Sequence, residues 1–347
     1  MIQLDLTTLP AYVDHLREVH PHLEAILGNV GVFSENDEGY TGFVFEIQSK
    51  GQKYFFKQFR NYKKKVPHLK YYPEAAEAEA RALVRFRDIH LRNLGKSYVP
   101  ELVHYDPENF VIFMTDVTND GRLLFMELND GVFDTEVAGK IGYLMGVLHS
   151  RTYGSEECIR DGDTDHLVNE KAFDNKCRHV FTLHNGEIRE IIESLSRSPQ
   201  HSLIYGDLFP NNIIVSVDRF PYLYDFTVAR NGDPAFELGY CSAHYVLMML
   251  SDPQFQASAR TALELLFNSY NAEMAIVLDT DRAQINERAL QFIGTTIMYN
   301  FTRRTTDKYV RNIQNRSLTL GVAAQAIKKQ FANISELVES LRKGLSS

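Results

Sequence analysis

Tryptophan is absent, and cysteine appears only three times in 347 residues. Cys158, Cys177 and Cys241 form an odd set with no C-x-x-C spacing. That excludes a disulfide framework and a cysteine zinc site, and it fits a reducing compartment. Proline (11) and glycine (20) are too sparse for a collagen-like or low-complexity chain. No run approaches the roughly 18 apolar residues of a membrane helix, so no membrane span is expected. The first residues carry Asp5 and Asp14 and no apolar core, so no secretory signal is read there and a cytoplasmic location is expected. Basic charge is not in excess either. Lys+Arg number 37 against 45 Asp+Glu, a net charge of −8, so no nucleic-acid partner is expected.

What is present is apolar and aromatic material, 44% hydrophobic and 12% aromatic, enough for a packed core. The length suggests about two domains. The first third is strand-rich. Residues 41–59 hold two alternating aromatic runs around Lys50-Gly51-Gln52, a hairpin pattern. Asn61–Lys65 reads as a solvated basic loop. Pro73 precedes an Ala/Glu/Arg-rich stretch that reads as a helix with proline near its first turn. Residues 97–106 and 109–117 read as two further strands. From about residue 130 the periodicity turns helical, with helices expected at 134–152, within 176–198, and at 241–251, 256–273, 284–302 and 321–343. Residues 153–167 are polar and acidic and read as a loop or a substrate-facing insertion. Thr118-Asn119-Asp120-Gly121 is a turn-prone joint, which divides the chain into a lobe at 1–117 and a lobe at 118–347.

The segment Asp207-Leu208-Phe209-Pro210-Asn211-Asn212, followed by an apolar strand and Tyr224-Asp225-Phe226, carries the chemistry. Phosphoryl transfer from a nucleotide needs one carboxylate to orient the attacking hydroxyl, and an amide oxygen with a second carboxylate to hold Mg²⁺. Asp207 suits the first role, and Asn212 and Asp225 suit the metal roles, since a hard cation takes oxygen ligands. Alone, such a pattern is commonly a turn. Three features favour the chemical reading. Lys57 ends an aromatic strand, where it can reach nucleotide phosphates. Glu79 shares a helical face with Leu83 and Phe86, so it points inward to pair with Lys57, whereas Glu74 and Glu77 face water. The order strand lysine, helix glutamate, joint, Asp/Asn loop, Asp is that of kinases.

With these motifs the chain resembles the aminoglycoside phosphotransferase family, small-molecule kinases of the protein-kinase-like fold. The family's H-G-D-x-x-x-x-N is matched by Tyr205-Gly206-Asp207 through Asn212. Its I-D-[FW]-x-x-A-x-x-G-D-P-x-x-D-L is matched by Tyr224-Asp225-Phe226 through Gly232-Asp233-Pro234 to Glu237-Leu238. Its L-x-x-L-H is echoed by residues ending at Leu148-His149. Tyr205 replaces the family's histidine and Glu237 its aspartate, positions that support loop geometry. The resemblance implies an α+β fold with a β-rich N-lobe over a mainly helical C-lobe, and ATP with Mg²⁺ as cofactors. GTP use stays open, because it depends on hinge details. The acceptor is a small-molecule hydroxyl, on an aminoglycoside, amino alcohol or sugar-like compound.

The phosphate-covering loop is placed at 34–42 with Gly39 and Gly42, and the base-binding hinge at Met114–Val117, including Met114 and Asp116. Acceptor contacts are less defined. Glu156, Glu157, Asp161, Asp163 and Asp165 suit a cationic acceptor or a solvated face, and Arg303, Arg304, Lys308, Arg311 and Arg316 an anionic group or a helix surface. Tyr240, His244, Tyr245, Tyr299 and Phe301 suit a pocket or the core. Two other readings remain: a degenerate nucleotide-binding homologue, and a kinase acting on a cell-envelope sugar or a protein. The short interval from Asp225 to Glu237 leaves little room for a regulated activation loop.

Overall fold

The computed structural model describes residues 1–36, 41–117, 120–132, 134–155, 179–180, 186–198, 201–302 and 308–345. It is a two-lobed α+β structure, a β-sheet lobe above a mainly helical one.

The N-lobe begins with α1 (Leu9–Val19) and a short α2 (Glu24–Leu27), neither assigned from sequence. Five strands follow in the order β1-β2-β3-β7-β6, every neighbour antiparallel. They are β1 (Val30–Asn36), β2 (Phe43–Ser49), β3 (Gln52–Gln58), β6 (Leu102–Asp106) and β7 (Val111–Thr115). The β2–β3 hairpin is closed by Lys50 and Gly51, both left-handed at φ 51° and 78°, as a right-twisted two-residue turn requires. Strand alternation then sorts the side chains. Tyr54, Phe56, Val111 and Phe113 pack on the back of the sheet against Leu9, Tyr12, Val13 and Leu16 of α1. Phe55, Lys57 and Met114 consequently face the other way, into the cleft between the lobes.

Residues 61–65 are not the loop that their charge suggests. They enter a separate two-stranded hairpin of β4 (Tyr62–Lys63) and β5 (Val66–Lys70). Main-chain pairing, which composition does not encode, decides it. Next comes α3 (Ala75–Leu94), whose buried face includes Glu79, Leu83 and Phe86, and which ends at Gly95 with φ 69°.

The sheet ends at Thr115, and β8 (Arg122–Leu123) already pairs with β10 (Ile213–Val215) in the lower lobe. The lower lobe continues with α4 (Leu124–Asn129), α5 (Thr135–Thr152) and α6 (Glu187–Leu195). Three short strands complete its sheets: β9 (Ser202–Ile204), β11 (Pro221–Leu223) and β12 (Arg230–Gly232). β9 pairs with β12 and β10 with β11, so the strands flanking Asp207 bond to other partners rather than to each other.

Six helices close the lobe: α7 (Pro234–Ser251), α8 (Gln256–Glu273), α9 (Asp279–Thr302), α10 (Lys308–Asn312), α11 (Arg316–Ile327) and α12 (Ile334–Leu345). Helix α7 starts seven residues before its expected place, because Asp233 caps it and Pro234 opens its first turn. Helix α9 starts at Asp279 instead of 284. The helix expected at 321–343 is two helices, with Lys329 left-handed at φ 57° between them and Asn333 accepting from the Glu336 N–H at 3.0 Å. The acidic segment 156–165, Gly39, Thr118, Asn119, Arg303 and Arg304 lie outside the described residues.

Candidate active site

The two lobes enclose a cleft of about 550 Å³, lined from above by Gly42, Phe55, Lys57 and Met114 and from below by Asn212, Ile214 and Asp225. That size suits a ligand as large as a nucleotide.

At its inner end Lys57 Nζ lies 2.8 Å from both Glu79 carboxylate oxygens and 2.8 Å from Asp225 Oδ1. Lys57 and Glu79 are almost fully buried, while the Asp225 side chain keeps 36% exposure toward the cleft. Burial works to discharge Lys57, but the charges of Asp225 and Glu79 outweigh it and hold the ammonium above its usual value. Partial burial raises the Asp225 carboxyl, yet Lys57 and the Thr227 hydrogen bonds overcome that and hold it below the usual carboxylate range. For Glu79, burial and Asp225 prevail over Lys57 and push the carboxyl up. Thr227 belongs to the same cluster. Its hydroxyl lies 3.0 Å from Glu79 Oε2 and 3.3 Å from Lys57 Nζ, and also bonds Asp225 Oδ1. Asp225 adopts φ 68°, a strained backbone that its side-chain contacts must sustain.

The Asp207 loop lies beside Asp225 in the lower lobe, where the Tyr224 N–H donates to the Asn212 carbonyl at 3.3 Å. Asn212 Nδ2 donates to the Asp207 carbonyl at 2.9 Å and to Oδ2 at 3.2 Å, which orients the carboxylate and leaves Asn212 Oδ1 as the amide's acceptor. Gly206 has φ 86°, and a Cβ there would meet the Val228 carbonyl at 2.4 Å, so only glycine fits. The Gly206 N–H donates to Glu237 Oε1 at 2.6 Å. Glu237 Oε2 is 2.9 Å from His149 Nε2, and His149 Nδ1 is 3.2 Å from the Tyr270 hydroxyl, all in the buried core. Glu237 thus reaches both the loop amide and the histidine. Tyr205 donates its hydroxyl to the Tyr224 carbonyl, joining the residue before Gly206 to the residue before Asp225. Burial pushes its phenol well up, so it remains a donor.

The structure therefore lines one cleft with Lys57, Asn212 and Asp225, and hydrogen-bonds Glu79 to Lys57 and Asp207 to Asn212. Gly42 lies against the Lys57 stem, and Asn36 and Thr41 line the mouth, so the near part of the 34–42 loop borders the cleft. Met114 and Asp116 line the hinge side. The N–H groups of Thr115 and Asp116 donate to the carbonyls of Glu101 and Lys53, so they are not available to a base. Tyr240, His244 and Tyr245 are buried in α7, and Tyr299 and Phe301 are half-buried against the core. Arg311 and Arg316 are exposed, the latter over the Phe301 ring. Sequence reasoning missed Thr227 and Tyr270. Thr227 is detectable only as the second residue after Asp225, and nothing local ties Tyr270 to a histidine 121 positions away.

Among the described residues no three His, Cys, Asp or Glu side chains converge on a metal position. The donor set at the cleft is an amide and a carboxylate, Asn212 and Asp225. That fits a hard divalent cation whose other ligands are phosphate and water oxygens.

The sequence model of the phosphotransferase enzyme family matches residues 32–273. A search of curated proteins returns no match. Among solved structures, a spectinomycin phosphotransferase bound to ADP and spectinomycin has 12% identity over 95% of this chain and 98% of its own, with a TM-score of 0.50. A protein from Ralstonia eutropha assigned as an aminoglycoside phosphotransferase has 15% identity over 98% and 99%, with a TM-score of 0.50. At these identities the likeness concerns the fold, and it is the kinase-like fold. No helix among the described residues is long and apolar enough to cross a membrane.

Proposed function

From the premise that this chain belongs to the phosphotransferase enzyme family, we propose that it transfers the γ-phosphate of ATP to a hydroxyl of a small molecule. The observation that carries the reading is the meeting of two constellations, Lys57–Glu79–Asp225 and Asp207–Asn212, at one cleft that Lys57, Asn212 and Asp225 line. Lys57, held by Glu79, neutralises the α- and β-phosphates. Asp207, oriented by Asn212, accepts the hydrogen bond of the attacking hydroxyl. Asn212 and Asp225 would hold Mg²⁺, which supplies charge neutralisation on the phosphates when bound. The base lies at Met114–Val117, read by the hinge carbonyls and the Val117 N–H, with GTP the other nucleotide this edge can serve. Gly42, with Gly39 beyond it, covers the phosphates. Catalysis is positioning and electrostatic stabilisation. The acceptor is an aminoglycoside, amino alcohol or sugar-like compound, and a cytoplasmic setting is supported by the sparse cysteines.

The test is Mg²⁺-dependent consumption of ATP and GTP against a panel of aminoglycosides, amino alcohols, sugars and nucleosides. Stimulation by one class is expected, and Asp207→Ala should abolish it while nucleotide still raises Tm. Full turnover by Asp207→Ala would overturn the assignment of that residue. Nucleotide binding by the native chain without turnover on any acceptor would favour a binding protein over an enzyme.

A further inference from the structure

Strand β5 of the β4–β5 hairpin hides almost nothing. Along β5 only Val66 is half-buried, while Pro67, His68, Leu69 and Lys70 are exposed, so neither face of the strand packs on the core. This is unlike β2 and β3, whose inward residues are buried. Yet the arm is firmly rooted. Lys64 Nζ pairs with Glu35 at 2.7 Å and donates to the Asn36 carbonyl at 2.9 Å, and the Lys64 N–H donates to the Thr41 carbonyl at 3.2 Å. Arg60 lies 3.5 Å from the Phe43 ring centre and donates to the Tyr62 hydroxyl at 3.2 Å, and the Tyr71 N–H donates to the Asn61 carbonyl at 2.9 Å.

Its composition opposes that of the chain. Between residues 60 and 72 lie Arg60, Lys63, Lys64, Lys65 and Lys70 and no Asp or Glu, within a protein of net charge −8. Arg60 is buried, Lys63 is half-buried and Lys64 is paired, so Lys65 and Lys70 are the exposed charges. Apolar surface is interleaved with them, Leu69 at 43% and Tyr72 at 38% exposure. The N-terminal strip runs into the same root, because Ile2 and Leu4 offer their carbonyls to Gln58 and Arg60. That strip exposes Met1, Ile2 and Leu6.

We propose that the β4–β5 hairpin, with the adjoining N-terminal strip, is a docking arm for an anionic lipid surface. Lysines alone would suit any polyanion, or would merely guard an exposed strand edge. Lysines interleaved with leucine and tyrosine suit a boundary where headgroups carry charge and acyl chains begin. Neither a duplex nucleic acid nor bulk water rewards the exposed leucine. Rooted at Asn36 and Thr41, which line the cleft mouth, the arm would hold that mouth beside the bilayer. Binding is independent of turnover, so its failure would leave the functional reading intact.

Cosedimentation of the full chain with vesicles provides the test, using phosphatidylcholine alone and with about 30% phosphatidylglycerol. Binding should require the anionic lipid and weaken with salt. The double variant Lys65→Gln/Lys70→Gln should lower affinity about tenfold or more, and Leu69→Ser severalfold. These side chains are exposed, so folding, checked by Tm, should hold. Absence of binding to anionic vesicles at low salt would overturn the proposal, as would equal binding by the double variant. Tighter retention on duplex DNA than on vesicles, lost in the same variant, would also overturn it in favour of a nucleic acid.

Discussion

Thr227 is where the polar cluster of the cleft is knit together, because one hydroxyl touches Lys57, Glu79 and Asp225. A hydroxyl has a single proton, so it donates to one carboxylate at a time and accepts from the ammonium. Its removal leaves Lys57 and the Phe226 N–H, 3.2 Å from Glu79 Oε1, to arrange the carboxylates while Asp225 keeps its strained backbone. Thr227→Val, nearly isosteric, should raise KM for Mg-nucleotide roughly tenfold with a smaller change in kcat. It should also shrink the Tm increase on nucleotide binding. Thr227→Ser should recover most of both. Unchanged nucleotide affinity in the valine variant would show that Lys57 and the Phe226 N–H order the site without the hydroxyl. The charged members of this cluster were legible in the sequence, because strand alternation and helix spacing place Lys57 and Glu79. Thr227 was not, since a threonine two residues past an aspartate is commonplace until the fold brings a lysine to it.

At the scale of the element, legibility followed local chemistry. The β2–β3 hairpin was readable because only a left-handed pair such as Lys50-Gly51 turns so tightly. The start of α5 was readable because Asp134 caps it, accepting from the N–H groups of Glu136 and Val137 at 2.9 and 3.1 Å. The break between α11 and α12 was not, because Lys329 there adopts a backbone that its residue type does not announce. The β4–β5 hairpin was hidden by its lysines, which read as a solvated loop. Asp134 also pairs with Arg219 at 2.8 Å, but Arg219 keeps Glu127 as a second partner at 2.6 Å. The cap should therefore dominate. Asp134→Ala should cost about 1–2 kcal/mol in denaturant unfolding, and Asp134→Asn, which still caps, much less. Equal losses in the two variants would transfer the stabilisation to the ion pair.

At the scale of the molecule the question is what couples the lobes. One route runs through His90, on the buried face of α3, whose Nδ1 accepts from the Tyr98 N–H at 3.3 Å. The Tyr98 carbonyl in turn accepts from the Leu223 N–H at 2.9 Å, and its ring stacks on Phe220 at 4.1 Å, both in the lower lobe. None of this is visible in sequence, where His90 is one polar residue near the end of a helix. Burial pushes its imidazole down to about 4 from an ordinary 6.5. The native state thus holds His90 neutral, and a proton favours the unfolded chain. Its contribution is complete above about pH 6.5, is lost as pH falls toward 4, and amounts to about 2 kcal/mol lost by pH 5. His90→Asn offers a side-chain oxygen near the same place but does not titrate. At neutral pH it should be less stable, through lost burial, and between about pH 6.5 and 5 the gap to the native protein should narrow. Denaturant unfolding of both proteins across that range measures the gap. Parallel curves would mean that His90 titrates alike folded and unfolded, and that the junction between the lobes does not depend on its neutral form.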